Sequence, residues 1–379
     1  RRSSGHRMKV LHVTPSVARA DGGPSAVIRG LIPALHERGM DAHVLTTNKG
    51  LSERDTDISE AHWLRHVPSV GSASLTYAPA LPALLRKLIN DYDVVHIHGF
   101  QSFPGTVAMR IARRAGVPYL IEPHGALDDY HWRQNVVRKR IWRLLLDGRN
   151  IQHLGGAVYS SGLEVEQARA VLPHTPAFPM PLAVDESLFT LDRDPTPSRP
   201  VQIAYLGRIT QKKRVDLLVR ALAETPLAER DVRLVIAGGS DGTIESPDSL
   251  AHALGVQDRV TVLGPVGADQ RRRLLKECAL FALPSEDESF GMAVAEAMAA
   301  GMAVVTSNRV GIAPAAEKQG ALLIAENDPR SIAATIRAAI EDPHLGERAR
   351  AYAGTHFRWS EAAAHAERAY EAVTTGNAV

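Results

Sequence analysis

Short apolar runs alternate with longer segments of helical period through most of the chain. MKVLHVTPS (Met8 to Ser16) is a strand-like run closed by a proline turn. DGGPSAVIRGLIPALHERGM follows as a glycine loop and a helix, with Val27, Leu31 and Leu35 on its apolar face and Gly39 at its end. DAHVLTTN (Asp41 to Asn48), YDVVHIHG (Tyr92 to Gly99), VPYLIEPHG (Val117 to Gly125) and AVYSS (Ala157 to Ser161) predict further strands. Helices are expected near Gly105 to Ala115, over the basic segment Tyr130 to Leu146, and over GLEVEQARAVL.

TLDRDPTPSRP (Thr190 to Pro200) carries charges and prolines without periodicity, and is the best linker candidate. Alternation then restarts. VQIAYLGR (Val201 to Arg208), VRLVIAGG (Val232 to Gly239), VTVLG (Val260 to Gly264), CALFALPS (Cys278 to Ser285) and MAVVTS (Met302 to Ser307) predict strands, with RVDLLVRALAE a helix between the first two. The last segment, HFRWSEAAAHAERAYEAVTT, is one amphipathic helix. Strand–helix alternation of this kind implies parallel sheets with helices on both faces, and two similar α/β halves. In such sheets a ligand lies beyond the carboxyl ends of the strands. The loops there are DGG, HGF, EPHG and YSS.

Composition agrees with this picture. A length of 379 residues exceeds what one hydrophobic core usually serves, so two domains are expected. Aromatic residues at 5% favour an α/β protein over an aromatic-rich sandwich. The net charge of +2 announces no polyanionic partner, and the scattered basic residues and few aromatics argue against nucleic-acid binding. A single cysteine, Cys278, excludes a disulfide framework, a cysteine zinc site or a CxxC redox motif within the chain. No apolar run approaches the roughly 20 residues that span a bilayer. RRSSGHR reads as a cloning remnant ahead of a natural start at Met8.

Candidate chemistry collects in the second half. LGRITQKKRVD puts Arg208 at a strand end and Lys213 five residues on, just before a helix. Fixed cations beside a helix N-terminus suit a pyrophosphate, although a solvated basic turn has the same sequence. VIAGGSDG (Val235 to Gly242) lacks the GxGxxG fingerprint, which argues against a dehydrogenase. In EDESFGMAVAEAMAAGMAVV, Glu288 and Glu296 stand eight positions apart, on either side of Phe290-Gly291. Glu288 belongs to a loop rim. Glu296 lies about two turns into a helix of small apolar residues, where a half-buried carboxylate needs a donor such as a ribose diol. Two ordinary surface glutamates are the plainer alternative.

PSEDESFGMAVAEAMAAGMAVVTS resembles the E-x7-E signature of glycosyltransferase family 4, a family of retaining enzymes with the GT-B fold. GRITQKKRVD resembles the family's GR-x4-K-G-x-D segment, and DGGPSAVIRGLIPALHERG its glycine loop and first helix. PYLIEPHGALDDYHW is similar to acceptor domains of bacterial polysaccharide glycosyltransferases, and the likeness runs in order from about Met8 to the last helix.

The resemblance implies an α/β chain of GT-B type, two Rossmann-like parallel-sheet domains facing a central cleft. Residues 8–185 would take the acceptor, residues 200–357 the nucleotide-sugar donor, and residues 358–379 would form a terminal helix returning to the first domain. Glu296 would bind the ribose hydroxyls, and Glu288 the donor sugar. The backbone N–H groups of Phe290, Gly291 and Met292 would hold sugar and phosphate, and Arg208 and Lys213 would neutralise the diphosphate. Gly22 and Gly23 would approach the phosphates, and His124 would face the donor sugar. His98 and Asp128 are candidates on the acceptor side; His96 and His98 are otherwise expected to be satisfied sheet-edge residues. Two departures stand out: Arg214 replaces the glycine after the lysine, and PLAVD (Pro181 to Asp185) stands where PNGVD is common.

The implied activity is transfer of a hexose from a UDP- or GDP-linked sugar to a saccharide, lipid-linked acceptor included. The co-substrate is the nucleoside-diphosphate sugar. No cofactor is expected, and no metal, since fixed cations serve the diphosphate and no HExxH motif is present. No carboxylate is clearly placed as a nucleophile, so front-face attack is the favoured route to retention. HWRQNVVRKRIWRLLLDGRN (residues 131–150) is a basic segment with Trp132 and Trp142 that suits an anionic membrane surface, though a core helix with a solvated basic face is preferred. The expected location is cytoplasmic, with peripheral attachment to the inner face of the membrane if that segment docks. The alternatives are a nucleotide-sugar epimerase of the same fold and a non-catalytic nucleotide-sugar-binding protein.

Overall fold

The computed structural model describes residues 7–70, 76–127, 147–193 and 200–376, without the side chain of Arg54. The chain divides into two compact units, Arg1–Ala183 with Trp359–Val379, and Val184–Arg358. The change of unit comes at Ala183–Val184, inside PLAVD and ahead of the proline-rich stretch expected to be the linker. Leu188 and Phe189 just ahead of that stretch and Leu191 within it are buried, so its start is anchored rather than free. The Val184 N–H donates to the Phe357 carbonyl at 3.0 Å, which brings the two crossing points side by side.

Among the described residues the first unit holds seven strands: β1 (Lys9–Val13), β2 (Asp41–Thr47), β3 (Leu64–Val67), β4 (Val94–His98), β5 (Tyr119–Glu122), β6 (Gly156–Tyr159) and β7 (Ala177–Pro179). All are parallel, in the order β3-β2-β1-β4-β5-β6-β7. β4 is buried along its whole length, as a central parallel strand must be when helices cover both faces. His96 and His98 therefore lie in the middle of the sheet, not at its edge. β3 and β7 sit at the edges and are too short and too polar to stand out by pattern.

The second unit holds β8 (Val201–Leu206), β9 (Val232–Ala237), β10 (Val260–Gly264), β11 (Leu280–Leu283), β12 (Ala303–Thr306) and β13 (Leu323–Ile324). They are again parallel, in the order β10-β9-β8-β11-β12-β13. In both sheets the order reverses direction at one strand pair, β1/β4 and β8/β11. Connections leave such a pair toward opposite sides, so a crevice opens at its carboxyl end. Among the described residues no helix is long and apolar enough to cross a membrane.

The terminal helix Trp359–Thr375 belongs to the first unit and buries Ala362, Ala363, Ala366, Ala369 and Tyr370. Small residues let it approach the helix Gly23–Glu37 closely. A Cβ on Gly30 would lie 2.0 Å from the Trp359 ring. Arg38 and Glu367 add an ion pair, with Nε donating at 2.8 Å. Gly30→Ala is accordingly expected to force the indole aside and cost about 1–3 kcal/mol. The measurement is the urea midpoint, which should fall with the slope unchanged.

Candidate functional site

In the second unit the polar residues gather where β8 and β11 end. Arg208 follows β8 and is exposed. The chain then makes the short turn Gln211–Lys213 before the helix Val215–Ala221. The loop after β11 is stitched to this turn. The Glu286 N–H donates to the Lys212 carbonyl at 2.7 Å, and the Ser285 hydroxyl to the same carbonyl at 3.1 Å. On its other side the Glu288 N–H donates to the Arg309 carbonyl at 3.1 Å, and the Gly311 N–H to the Glu288 carbonyl at 2.9 Å. The loop is thus fixed from both sides before any ligand arrives.

Lys213 pairs with Glu288 across this turn. Burial, with Lys212 and Arg208 nearby, pushes its ammonium down to about 7. Glu296 pairs with Arg271, on the helix Ala268–Glu277, and its side chain is 15% exposed. The donor this half-buried carboxylate requires is therefore a guanidinium from another helix. Gly291 introduces the helix Met292–Ala299 at φ +103°, and a Cβ there would lie 2.5 Å from Val310. Only glycine meets both conditions, and the N–H groups of the first helical turn are left without intrahelical partners.

Gly238 in VIAGGSDG has a packing role. A Cβ on it would lie 1.8 Å from the Gly207 carbonyl oxygen, so it lets the ends of β8 and β9 meet.

The first unit has its own polar centre at β1/β4. His12 of β1 and His96 of β4 are register partners, and His98 lies two residues beyond. All three are fully buried, as is Glu122 at the end of β5. His12 Nδ1 and His98 Nε2 share a hydrogen bond of 2.9 Å, His98 Nδ1 and His124 Nε2 one of 3.1 Å, and His96 Nδ1 meets the Tyr370 hydroxyl at 2.8 Å. Three imidazoles surround Glu122: His96 Nε2 at 3.4 Å, His98 Nδ1 at 3.3 Å and His124 Nδ1 at 3.3 Å. Burial alone would raise the Glu122 carboxyl, but His124, His96 and His98 outweigh it and hold it well below the usual range. Burial lowers His98 to about 4 and also lowers His12 and His124, so these three stay neutral at pH 7.

His124 adopts φ +52°, a left-handed conformation uncommon outside glycine. Its turn is pinned by buried Glu164, which accepts the Gly125 N–H at 2.7 Å and the Ser160 N–H and hydroxyl at 2.8 Å each. Gly22 and Gly23 are exposed at the start of the helix Gly23–Glu37.

The family described as Glycosyl transferases group 1 matches residues 190–356, and the Glycosyl transferase 4-like domain matches residues 22–182. The chain belongs to glycosyltransferase family 4. D-inositol 3-phosphate glycosyltransferase of Xylanimonas cellulosilytica is 28% identical, with 90% of each chain covered. Another protein of that name, from Catenulispora acidiphila, is 27% identical over 96% of this chain and 94% of its own. Among solved structures, HepE of Anabaena in complex with UDP and glucose aligns with a TM-score of 0.71 at 18% identity, covering 97% of this chain and all of that one. A glycosyltransferase of Rickettsia africae aligns at 0.73 and 17% identity, covering 97% and 99%. The two parallel sheets are those of the GT-B fold, and the chain is a glycosyltransferase of that type.

In this family 4 chain the second unit brings Arg208, Lys213, Glu288, Phe290, Gly291, Met292 and Glu296 to one sheet edge and its following helix. His98, expected near the rim, is instead fully buried, with its ring nitrogens turned to His12, His124 and Glu122. Asp128 and most of the basic segment, with Trp132 and Trp142, lie outside the described residues. Sequence reasoning missed Arg271, Glu122, Glu164, His12 and Tyr370. An acid on a predicted buried strand, as Glu122 is in PYLIEPHG, was the one available signal.

Arg214 stands where the family has glycine, and the reason for glycine is visible: the position has φ +50°. The guanidinium is committed to Asp216, with Nε at 3.1 Å, and to Glu286. Arg214→Gly should relieve about 1 kcal/mol of left-handed strain and lose pairs worth about 0.2–1 kcal/mol each. Stability is expected to stay within about 1 kcal/mol of wild type, as checked by chemical denaturation, with nucleotide affinity unchanged.

Proposed function

We propose that the chain is a retaining, metal-independent hexosyltransferase that uses a UDP- or GDP-linked sugar and a saccharide acceptor, lipid-linked, in polysaccharide or glycolipid assembly. The observation that carries this reading is the second unit's β8/β11 edge. A cation turn, an acidic loop and a glycine-started helix are fixed together there, with Glu296 on that helix. HepE, whose complex contains UDP and glucose, shares the fold and supports a nucleotide-sugar donor.

In this reading Glu296 accepts hydrogen bonds from the ribose diol, and Glu288 from hydroxyls of the donor sugar. Transfer leaves negative charge on the departing diphosphate. Arg208, the N–H groups of Phe290, Gly291 and Met292, and Lys213 on exchanging its pair with Glu288 meet that charge, so no divalent ion is needed at the diphosphate. Added Mg2+ should leave the transfer rate unchanged. Front-face attack, with the leaving phosphate taking the acceptor proton, accounts for retention without a protein nucleophile. The first unit takes the acceptor. His124 there acts by holding its turn, because both ring nitrogens face neighbouring side chains. The basic segment 131–150 would serve a lipid-linked acceptor by docking on an anionic surface.

Thermal shift with UDP, GDP and ADP tests the donor site. A ligand at 100 times its Kd should add about 2.7 kcal/mol. Glu296→Ala should fold, because the Arg271 side chain is 42% exposed, and at the same ligand concentration its stabilisation should shrink to about 0.3–1.3 kcal/mol, reflecting the loss of about 1.5–3 kcal/mol of hydrogen bonds to a charged group. A folded Glu296→Ala protein with wild-type affinity would overturn the assignment.

Lys213 adds a pH signature. A diphosphate binds the ammonium form, so it raises the lysine's pKa from its free value of about 7. Affinity is therefore full below pH 7 and declines as pH rises toward 9, above the phosphate ionisation near ~6. Lys213→Arg, always charged, should flatten that decline in calorimetric titrations; an unchanged slope would remove Lys213 from the phosphate site.

A further inference from the structure

The buried cluster at the β1/β4 edge holds more ligating chemistry than a hydrophobic sheet needs. Glu122 is a carboxylate with 1% exposure, and neither of its oxygens has an aligned hydrogen bond. His96 Nε2 is likewise an unpaired buried nitrogen. A buried carboxyl group whose oxygens lack aligned partners, with no Lys or Arg against it among the described residues, is costly. Its neighbours are spaced as ligands of one ion would be. His98 Nδ1 lies 3.1 Å from His124 Nε2 and 3.3 Å from a Glu122 carboxylate oxygen, and one donor atom from each of the three residues lies within 4.8 Å of the others. Two ligands at about 2.0–2.1 Å from a tetrahedral zinc lie about 3.4 Å apart, a spacing close to the one His98 Nδ1 keeps with each of its two partners.

We propose that His98, Glu122 and His124 bind one zinc-class divalent cation. Two neutral imidazole nitrogens and one carboxylate match a borderline cation with a preference for nitrogen, and disfavour Mg2+. The outer shell is already built. His98 turns its other nitrogen to His12 at 2.9 Å, and His96, oriented by Tyr370 at 2.8 Å, stands 3.4 Å from the carboxylate. Such second partners fix ring orientation and ligand basicity. The triple His12, His96 and His98 is also close enough to ligate, but it lacks the buried anion that a cation would balance. The ion's positive charge would balance Glu122, and its bonds would hold His124 at its left-handed backbone angle.

The inference concerns the first unit and does not rest on the donor-site reading. Full-length protein, freed of metal by chelation, is titrated with Zn2+, Co2+ and Mg2+ and followed by elemental analysis, visible absorption and thermal shift. One equivalent of Zn2+ should survive desalting and raise the Tm. Co2+ should give ligand-field bands of a low-coordinate site, and Mg2+ should do nothing. Glu122→Gln should abolish tight binding, and His12→Gln should weaken it about 10–100-fold. If Glu122→Gln does not fold, His124→Asn decides instead. Wild-type protein that takes up no stoichiometric Zn2+ overturns the proposal, as does a folded ligand variant that still binds one equivalent with unchanged affinity. The UDP shift of chelated protein reads the donor site separately.

Discussion

A parallel sheet whose connections leave one strand pair in opposite directions cannot be covered at that pair's carboxyl end. This constraint operates in each unit of the chain, at β1/β4 and at β8/β11. Backbone groups and polar side chains that would be buried elsewhere in a doubly wound sheet can gather there. In the second unit the space is edged by Arg208, Lys213 and the loop carrying Glu288. In the first it is packed with His12, His96, His98, Glu122 and His124.

The two edges meet the cost of polar groups in different ways. In the second unit three acids of this edge each have a cation: Glu288 has Lys213, Glu296 has Arg271, and Glu286 has Arg214. These pairs are partly solvated, so an incoming anion or diol can exchange with them. In the first unit the only compensation for Glu122 among the described residues is a ring of imidazoles that burial keeps mostly neutral. The first arrangement suits a ligand that comes and goes, and the second one that stays.

Much of this was legible along the chain. The fold class follows from apolar runs of strand length alternating with helical periods. The positions of Arg208, Lys213, Gly291 and Glu296 were legible because they depend on local spacing around a strand end and a helix start. The short edge strands β3, β7 and β13 were not legible, since an edge strand needs too few apolar residues to form a pattern. The change of unit at Ala183–Val184 falls two residues before the expected domain end at residue 185, although composition marks the proline-rich stretch after it more strongly.

What the sequence determined by itself was the order of elements and the residues at their ends, since backbone propensity and hydrophobic period act within a few residues. What only tertiary structure decided was which of those ends meet. Arg271 reaches Glu296 from 25 residues away, and Tyr370 reaches His96 from 274 residues away. The left-handed angle that explains the missing glycine at Arg214 depends on how its turn is held against the 285–288 loop. Pairings of this kind come from packing the sheet and its covering helices, and no local pattern encodes them.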